Sequence, residues 1–152
     1  TGVAVKQGAH HPPIRDRAEL QAAFRAAQGI YFPDPKLATA GIHVMKVLQA
    51  LGLDVELADR LRVFPNGATA MQAMSQDAGE HLIGSTQVTE INYTAGIELV
   101  GLLPKEFELA TTYTLGVASN AQAPQLAQAL ADLLCSESTR DLRMKGGFEL
   151  TT

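Results

Sequence analysis

Ile30-Tyr31-Phe32-Pro33-Asp34-Pro35, followed at once by Thr39-Ala40-Gly41-Ile42, reads as a short apolar strand that stops at a proline turn and hands the chain to a helix. Thr39 is a favourable residue to cap that helix. Ile42, Met45, Leu48 and Leu51 then form one stripe, and Gly52 supplies the stop. A strand feeding a helix in so few residues is the unit of an α/β sheet, so the rest of the chain is read for repeats of it.

Upstream, Gly2 to Lys6 carries Val at positions 3 and 5 and reads as a strand before the Gly8-to-Pro13 loop. Asp16 caps a helix whose apolar residues Leu20, Ala23, Phe24 and Ala27 recur at three and four residues, and Gly29 ends it. Downstream, a short helix over 54–59 leads to a strand at Leu61 to Phe64. Asn66 caps a helix that buries Ala70, Met71 and Met74, and Leu82-Ile83-Gly84 is a short buried strand before a helical turn begun by Thr86 or Gln87. Ile97 to Val100 and Ala110 to Ala118 read as strands, the second because Thr, Tyr, Leu and Val alternate through it. Pro124 opens a helix with apolar residues at 126, 127, 130, 133 and 134, a last helix runs from about Ser138 to Lys145, and Phe148 to Leu150 forms a short final strand. This alternation predicts an α/β sandwich on a largely parallel sheet.

The 152 residues suffice for one ordinary core, and the formal charge of -4 with no basic run argues against nucleic acid as a partner. No apolar stretch approaches the ~20 residues needed to cross a bilayer. Cys135, the one cysteine, has no internal partner and is expected half-buried at a helix end. The opening Thr1-Gly2-Val3 has neither an initiator Met nor a signal peptide, so an export signal is expected upstream.

No catalytic set emerges. His10, His11, His43 and His81 make no i, i+4 metal pair, His43 is expected to face solvent, and no nucleophile elbow or phosphate loop occurs. What remains are three helix starts with small residues at their tips: Thr39-Ala40-Gly41, Asn66-Gly67-Ala68-Thr69 and Ser85-Thr86-Gln87. Each would offer unbonded backbone N–H groups and the positive end of a helix dipole to an anion, and small residues admit a ligand close to the backbone. Each is also compatible with an ordinary capped connection. Ligands in α/β sheets gather at the carboxyl ends of strands, which favours the three acting together.

As a set, the residues resemble the molybdate-binding periplasmic proteins and their extracellular solute-binding relatives. The resemblance is carried by Phe32-Pro33-Asp34-Pro35, Thr39-Ala40-Gly41-Ile42, Leu48-Gln49-Ala50-Leu51-Gly52-Leu53, Gly79-Glu80-x-x-Ile83-Gly84, Thr89-Glu90-Ile91, Gly96-x-x-x-Val100-Gly101-Leu102-Leu103-Pro104 and Gly147-Phe148-Glu149. It implies a periplasmic-binding-protein-like fold of type II, with 1–113 as the second lobe and its hinge strands and 114–152 as the C-terminal part of a first lobe whose remainder lies outside this chain. It implies a non-enzymatic substrate-binding component of an ABC importer, periplasmic, without a cofactor or metal, working with membrane subunits of the transporter. The ligand would be a small oxyanion or related anion held by Thr39, Ala40, Gly41, Gly67 and Gln87. Gln87 stands where the family places a tyrosine, and the family's first-lobe hydroxyl loops have no counterpart here. Leu126, Leu130, Leu133 and Leu134 would then lie bare, which predicts pairing with a second copy or exchange of the C-terminal segment. An effector-sensing domain of a transcription regulator with this fold is the alternative, and an enzyme built on it ranks third.

Overall fold

The computed structural model describes residues 1–150. Its chain divides into two compact units, Thr1–Leu109 and a second from Ala110 onward. The first carries a five-stranded sheet in the order β3-β2-β4-β1-β5, with β1 at Gly2–Lys6, β2 at Gly29–Pro33, β3 at Leu61–Phe64, β4 at Leu82–Thr86 and β5 at Ile97–Leu102. Strand β2 pairs in parallel with β3 and β4, whereas β1 is antiparallel to both of its neighbours. Four strands therefore run one way, and β1 runs against them between β4 and β5.

Side chains alternate across a strand, so each strand feeds two cores. Ile30 and Phe32 face one side of β2 and join Leu20 and Phe24 of α1 (Arg17–Ala26) and Val44, Val47 and Leu48 of α2 (Thr39–Ala50). Tyr31 faces the other and joins Ala70, Met71 and Met74 of α3 (Gly67–Gln76) and Ile91 of α4 (Val88–Tyr93). On that second face Gly84 is in contact range of both methionines: a Cβ there would lie 2.5 Å from Met71 Cε and 3.0 Å from Met74 Cε.

The caps show where local sequence sufficed and where it did not. Asp16 caps α1 by accepting the Glu19 N–H, and Asn66 caps α3 by accepting the Thr69 N–H at 2.8 Å. Thr39, expected as a cap, is instead the first residue of α2; Ala38 holds the cap position and makes no side-chain bond there. The reason lies upstream, where the Asp34 carboxylate bonds the Lys36 and Leu37 N–H groups and its carbonyl accepts from Ala38, winding the turn one residue tighter. The expected helix at 54–59 is a run of turns ending in one 3₁₀ turn, Ala58–Arg60.

The second unit holds α5 (Pro124–Cys135) and α6 (Arg140–Gly146). Gly147, at φ 100, ends α6 in the left-handed conformation, with the Phe148 N–H reaching back to the Arg143 carbonyl. Neither Ala110 to Ala118 nor Phe148 to Leu150 forms the expected strand. Every residue of the first segment is exposed and, among the described residues, no strand pairs with it; alternation supports a strand only when a neighbour takes its backbone bonds. Cys135 is exposed rather than half-buried, since α5 buries only Ala131; Leu126, Leu130, Leu133 and Leu134 lie bare, as expected.

Candidate functional site

Strands β2, β3 and β4 end side by side. Pro33 pairs with Phe64, and Tyr31 pairs with Gly84, so continuing that register by two residues sets Pro33 level with Thr86. Parallel neighbours lie about 4.8 Å apart, which places the starts of α2, α3 and α4 along one edge of the sheet. From β2 the chain leads outward to β3, and from β4 it leads past β1 to β5. Adjacent strands whose connections depart in opposite directions leave a crevice at their carboxyl ends, and the β2–β4 boundary is such a point.

On the β2 side of this crevice, α2 begins with N–H groups at Thr39, Ala40 and Gly41 that have no partner within the helix. Ala40 is 4% exposed. No cap side chain and no acidic residue of the first turn competes for that end. Gly41 serves packing here: a Cβ on it would fall 2.2 Å from the Pro33 carbonyl oxygen and 2.3 Å from that of Asp34. Its smallness lets the helix sit down on the end of β2, which brings the amides of Thr39 and Ala40 to the sheet edge.

Around α3 the arrangement differs. Gly67 is buried, and a Cβ on it would meet Thr86 Oγ1 and Glu90 Oε2, each at 2.0 Å. The Thr86 hydroxyl, fully buried at the end of β4, donates to Glu90 Oε2 at 2.5 Å. The chain's own carboxylate thus occupies the space at the α3 start that the sequence assigned to a ligand. This links the Gly67 and Gln87 corners physically, because Thr86 precedes Gln87 and Glu90 follows it by one turn. Gln87 is the half-buried cap residue of α4, and its carbonyl accepts the Glu90 N–H at 3.0 Å.

Sequence reading named Thr86 within a helix start and Glu90 within a motif, but missed the bond between them. A signal existed: a Glu three residues after a polar cap residue is the spacing of a capping box, in which the Glu side chain turns back towards the helix start. Here it turns back to the strand-end hydroxyl.

The histidines stand apart from this edge. His43 is half-buried, not solvent-facing, and its Nε2 lies 2.7 Å from the Phe107 carbonyl oxygen, because α2 packs that flank against the segment after β5. His11 Nε2 lies 3.3 Å from Glu98 Oε2. His10 and His81 line a cavity of about 450 Å³ with Lys6 and Leu82, at the opposite, amino edge of the parallel strands. A second groove of about 560 Å³ runs between α3 and α4, lined by Gln72, Ser75, Thr89, Glu90 and Tyr93.

Comparison with known proteins places this architecture. An aconitate isomerase from a Pseudomonas species is 28% identical over 139 residues, covering 89% of this chain and 50% of that protein. The substrate binding domain assigned to a molybdenum ABC transporter of Clostridium difficile superposes with a TM-score of 0.67 at 15% identity, covering 99% of this chain and 63% of the other. The periplasmic molybdate-binding protein of Azotobacter vinelandii gives 0.66 at 16% identity, covering 99% and 65%. These two share the fold, and the chain spans half the length of the curated relative and under two thirds of either solved structure. The sequence model described as "Bacterial extracellular solute-binding protein" matches residues 1–149. The chain belongs to the bacterial extracellular solute-binding protein family.

Proposed function

We propose that this chain belongs to the substrate-binding component of an ABC importer and takes a small anionic solute, an oxyanion or a small carboxylate, at the β2–β4 edge. Thr39, Ala40 and Gly41 would present backbone N–H groups to the anion, with Gln87 on the other side, where Glu90 fills the space beside Gly67. The observation that carries this reading is the alignment of three helix starts at the topological switch point of the sheet. The ligands named for the relatives, molybdate and aconitate, are both anions, which supports the same class. Residues 1–113 would serve as one lobe with its hinge strands and 114–152 as part of the other, in a periplasmic protein delivering its solute to membrane subunits. The bare leucines of α5 would be covered by the rest of that first lobe or by a second copy of the chain.

Calorimetric titration of the protein at its natural length with molybdate, tungstate, sulfate and small carboxylates tests this. Heat from at least one is expected; heat from none removes the anion reading.

A second reading, isomerisation of a small unsaturated carboxylate, is favoured by the identity with the aconitate isomerase alone. Proton NMR of cis-aconitate incubated with the protein separates the two, since a binding protein leaves the isomer ratio unchanged.

A further inference from the structure

We propose that the cavity of about 450 Å³ at the amino edge of the parallel strands is a second ligand site, one that takes a small carboxylate with an apolar body. It lies at the end of the sheet opposite the β2–β4 crevice and does not rest on the anion reading of that crevice. Its size falls within the roughly 300–1,000 Å³ usual for small-molecule sites, which pair an apolar lining with a few converging polar groups. Val5, Ala23, Ala27, Leu82 and Ile83, all buried, supply the apolar lining from the ends of β1 and α1 and the start of β4.

Nearer solvent the cavity is lined by Lys6, His10, His81 and Glu80. Three of these four can donate a hydrogen bond and one carries a carboxylate, an excess of donors that suits an anionic head. The rings of His11 and His43 are engaged, by Glu98 and by the Phe107 carbonyl, whereas among the described residues the rings of His10 and His81 have no partner. Lys6 Nζ donates to the Asp77 carbonyl and keeps two further protons to give.

The walls are held from outside. The Gln7 N–H donates to the Gly96 carbonyl at 2.8 Å, and the Gly8 N–H and the His11 ring both meet Glu98, which fixes the loop carrying His10. Across the cavity the Gln28 N–H donates to the His81 carbonyl at 3.0 Å, and Asp77 accepts the Gly79 N–H at 2.7 Å. His81 is held there at φ 52, the left-handed region that residues with a Cβ seldom adopt and that recurs at ligand sites. The two free imidazoles are therefore presented on fixed backbone above an apolar lining.

Proton NMR of the four imidazoles, assigned by single His→Ala variants, tests this during titration of the protein at its natural length with hexanoate. The His10 and His81 signals are expected to shift and saturate while that of His43 stays still. Hexanoate is expected to bind about tenfold tighter than butyrate, the gain from burying two methylenes, and about tenfold tighter than hexan-1-ol or hexylamine, which lack the anionic head. Ala26→Leu, at an exposed residue lining the cavity, is expected to abolish the shifts by filling it, and His10→Ala to weaken binding about threefold with His81 still reporting. Absence of a saturable shift at both histidines overturns the inference, as does hexylamine or hexan-1-ol binding as tightly as hexanoate. Undiminished binding in Ala26→Leu overturns it too, or in His10→Ala should the first variant fail to fold. Hexanoate held at the β2–β4 crevice instead would give heat of binding without movement of His10 or His81, which overturns this inference and leaves the crevice reading standing.

Discussion

Glu90 Oε2 accepts the Thr86 hydroxyl at 2.5 Å, and the pair closes over a glycine at position 67 that leaves them room. Gly67 and Gly41 sit in equivalent first turns, yet they are small for different reasons. At Gly67 one of the neighbours is the far end of a flexible glutamate; at Gly41 both are backbone carbonyl oxygens, of Pro33 and Asp34.

Those neighbours predict unequal costs. Gly41→Ala is expected to lose about 3 kcal/mol, because a carbonyl yields only if the strand end moves. Gly67→Ala is expected to lose less, about 2 kcal/mol: Glu90 can rotate away and alanine gains helix propensity, but the buried Thr86 hydroxyl must shift as well. Urea midpoints of the two variants measure the difference, and equal losses would contradict the packing described.

Asn66 accepts two bonds from Thr69 and closes the first turn of α3. Asn66→Ala is expected to cost about 1 kcal/mol, and Asn66→Asp to retain most of it. Thermal unfolding of both variants decides this.

Tyr31 gives a pH signature. Burial, then its hydrogen bond to Asp77, pushes its phenol up to about 12 from the ordinary 10. A raised value means the folded state favours the protonated phenol, so this stabilisation is whole below pH 10 and is lost as pH rises towards 12. The same bond holds Asp77 below its ordinary 3.8, so that contribution is present above pH 4 and lost as pH falls further. Tyr31→Phe should remove both, so the stability gap between the two proteins should shrink at each extreme. A gap in urea midpoints that is the same at pH 9 and pH 12 would refute the alkaline limb.

Leu126 and Leu130 are 73% and 56% exposed on α5. Replacing both with Glu is expected to change stability by less than about 0.5 kcal/mol while reducing self-association at high concentration, read by sedimentation velocity. A wild-type protein that sediments only as monomer would count against pairing through this face.

Much of this architecture was legible in the order of residues. Apolar spacing located the five strands of the sheet and most of the helices, and Asp16 and Asn66 announced their caps because a cap is a contact among residues three apart. The small residues at 39–41 and 67 marked helix starts that the fold does bring to one edge. Local pattern failed at Ala110 to Ala118, where alternation promised a strand, because a strand exists only when another supplies its backbone partners. It failed at Thr39, displaced from the cap position by the Asp34 turn.

Sequence alone determined the five strands of the sheet, most of the helices and the small-residue helix starts at 39–41 and 67, since each depends on neighbours within one turn. Tertiary structure alone decided that β1 runs against the other four strands, that β2 and β4 lie side by side with their exits diverging, and that Glu90 fills the space beneath α3. Those facts depend on contacts between residues nineteen or more positions apart, Gly67 with Thr86 and Glu90 among them, and no local spacing encodes such contacts.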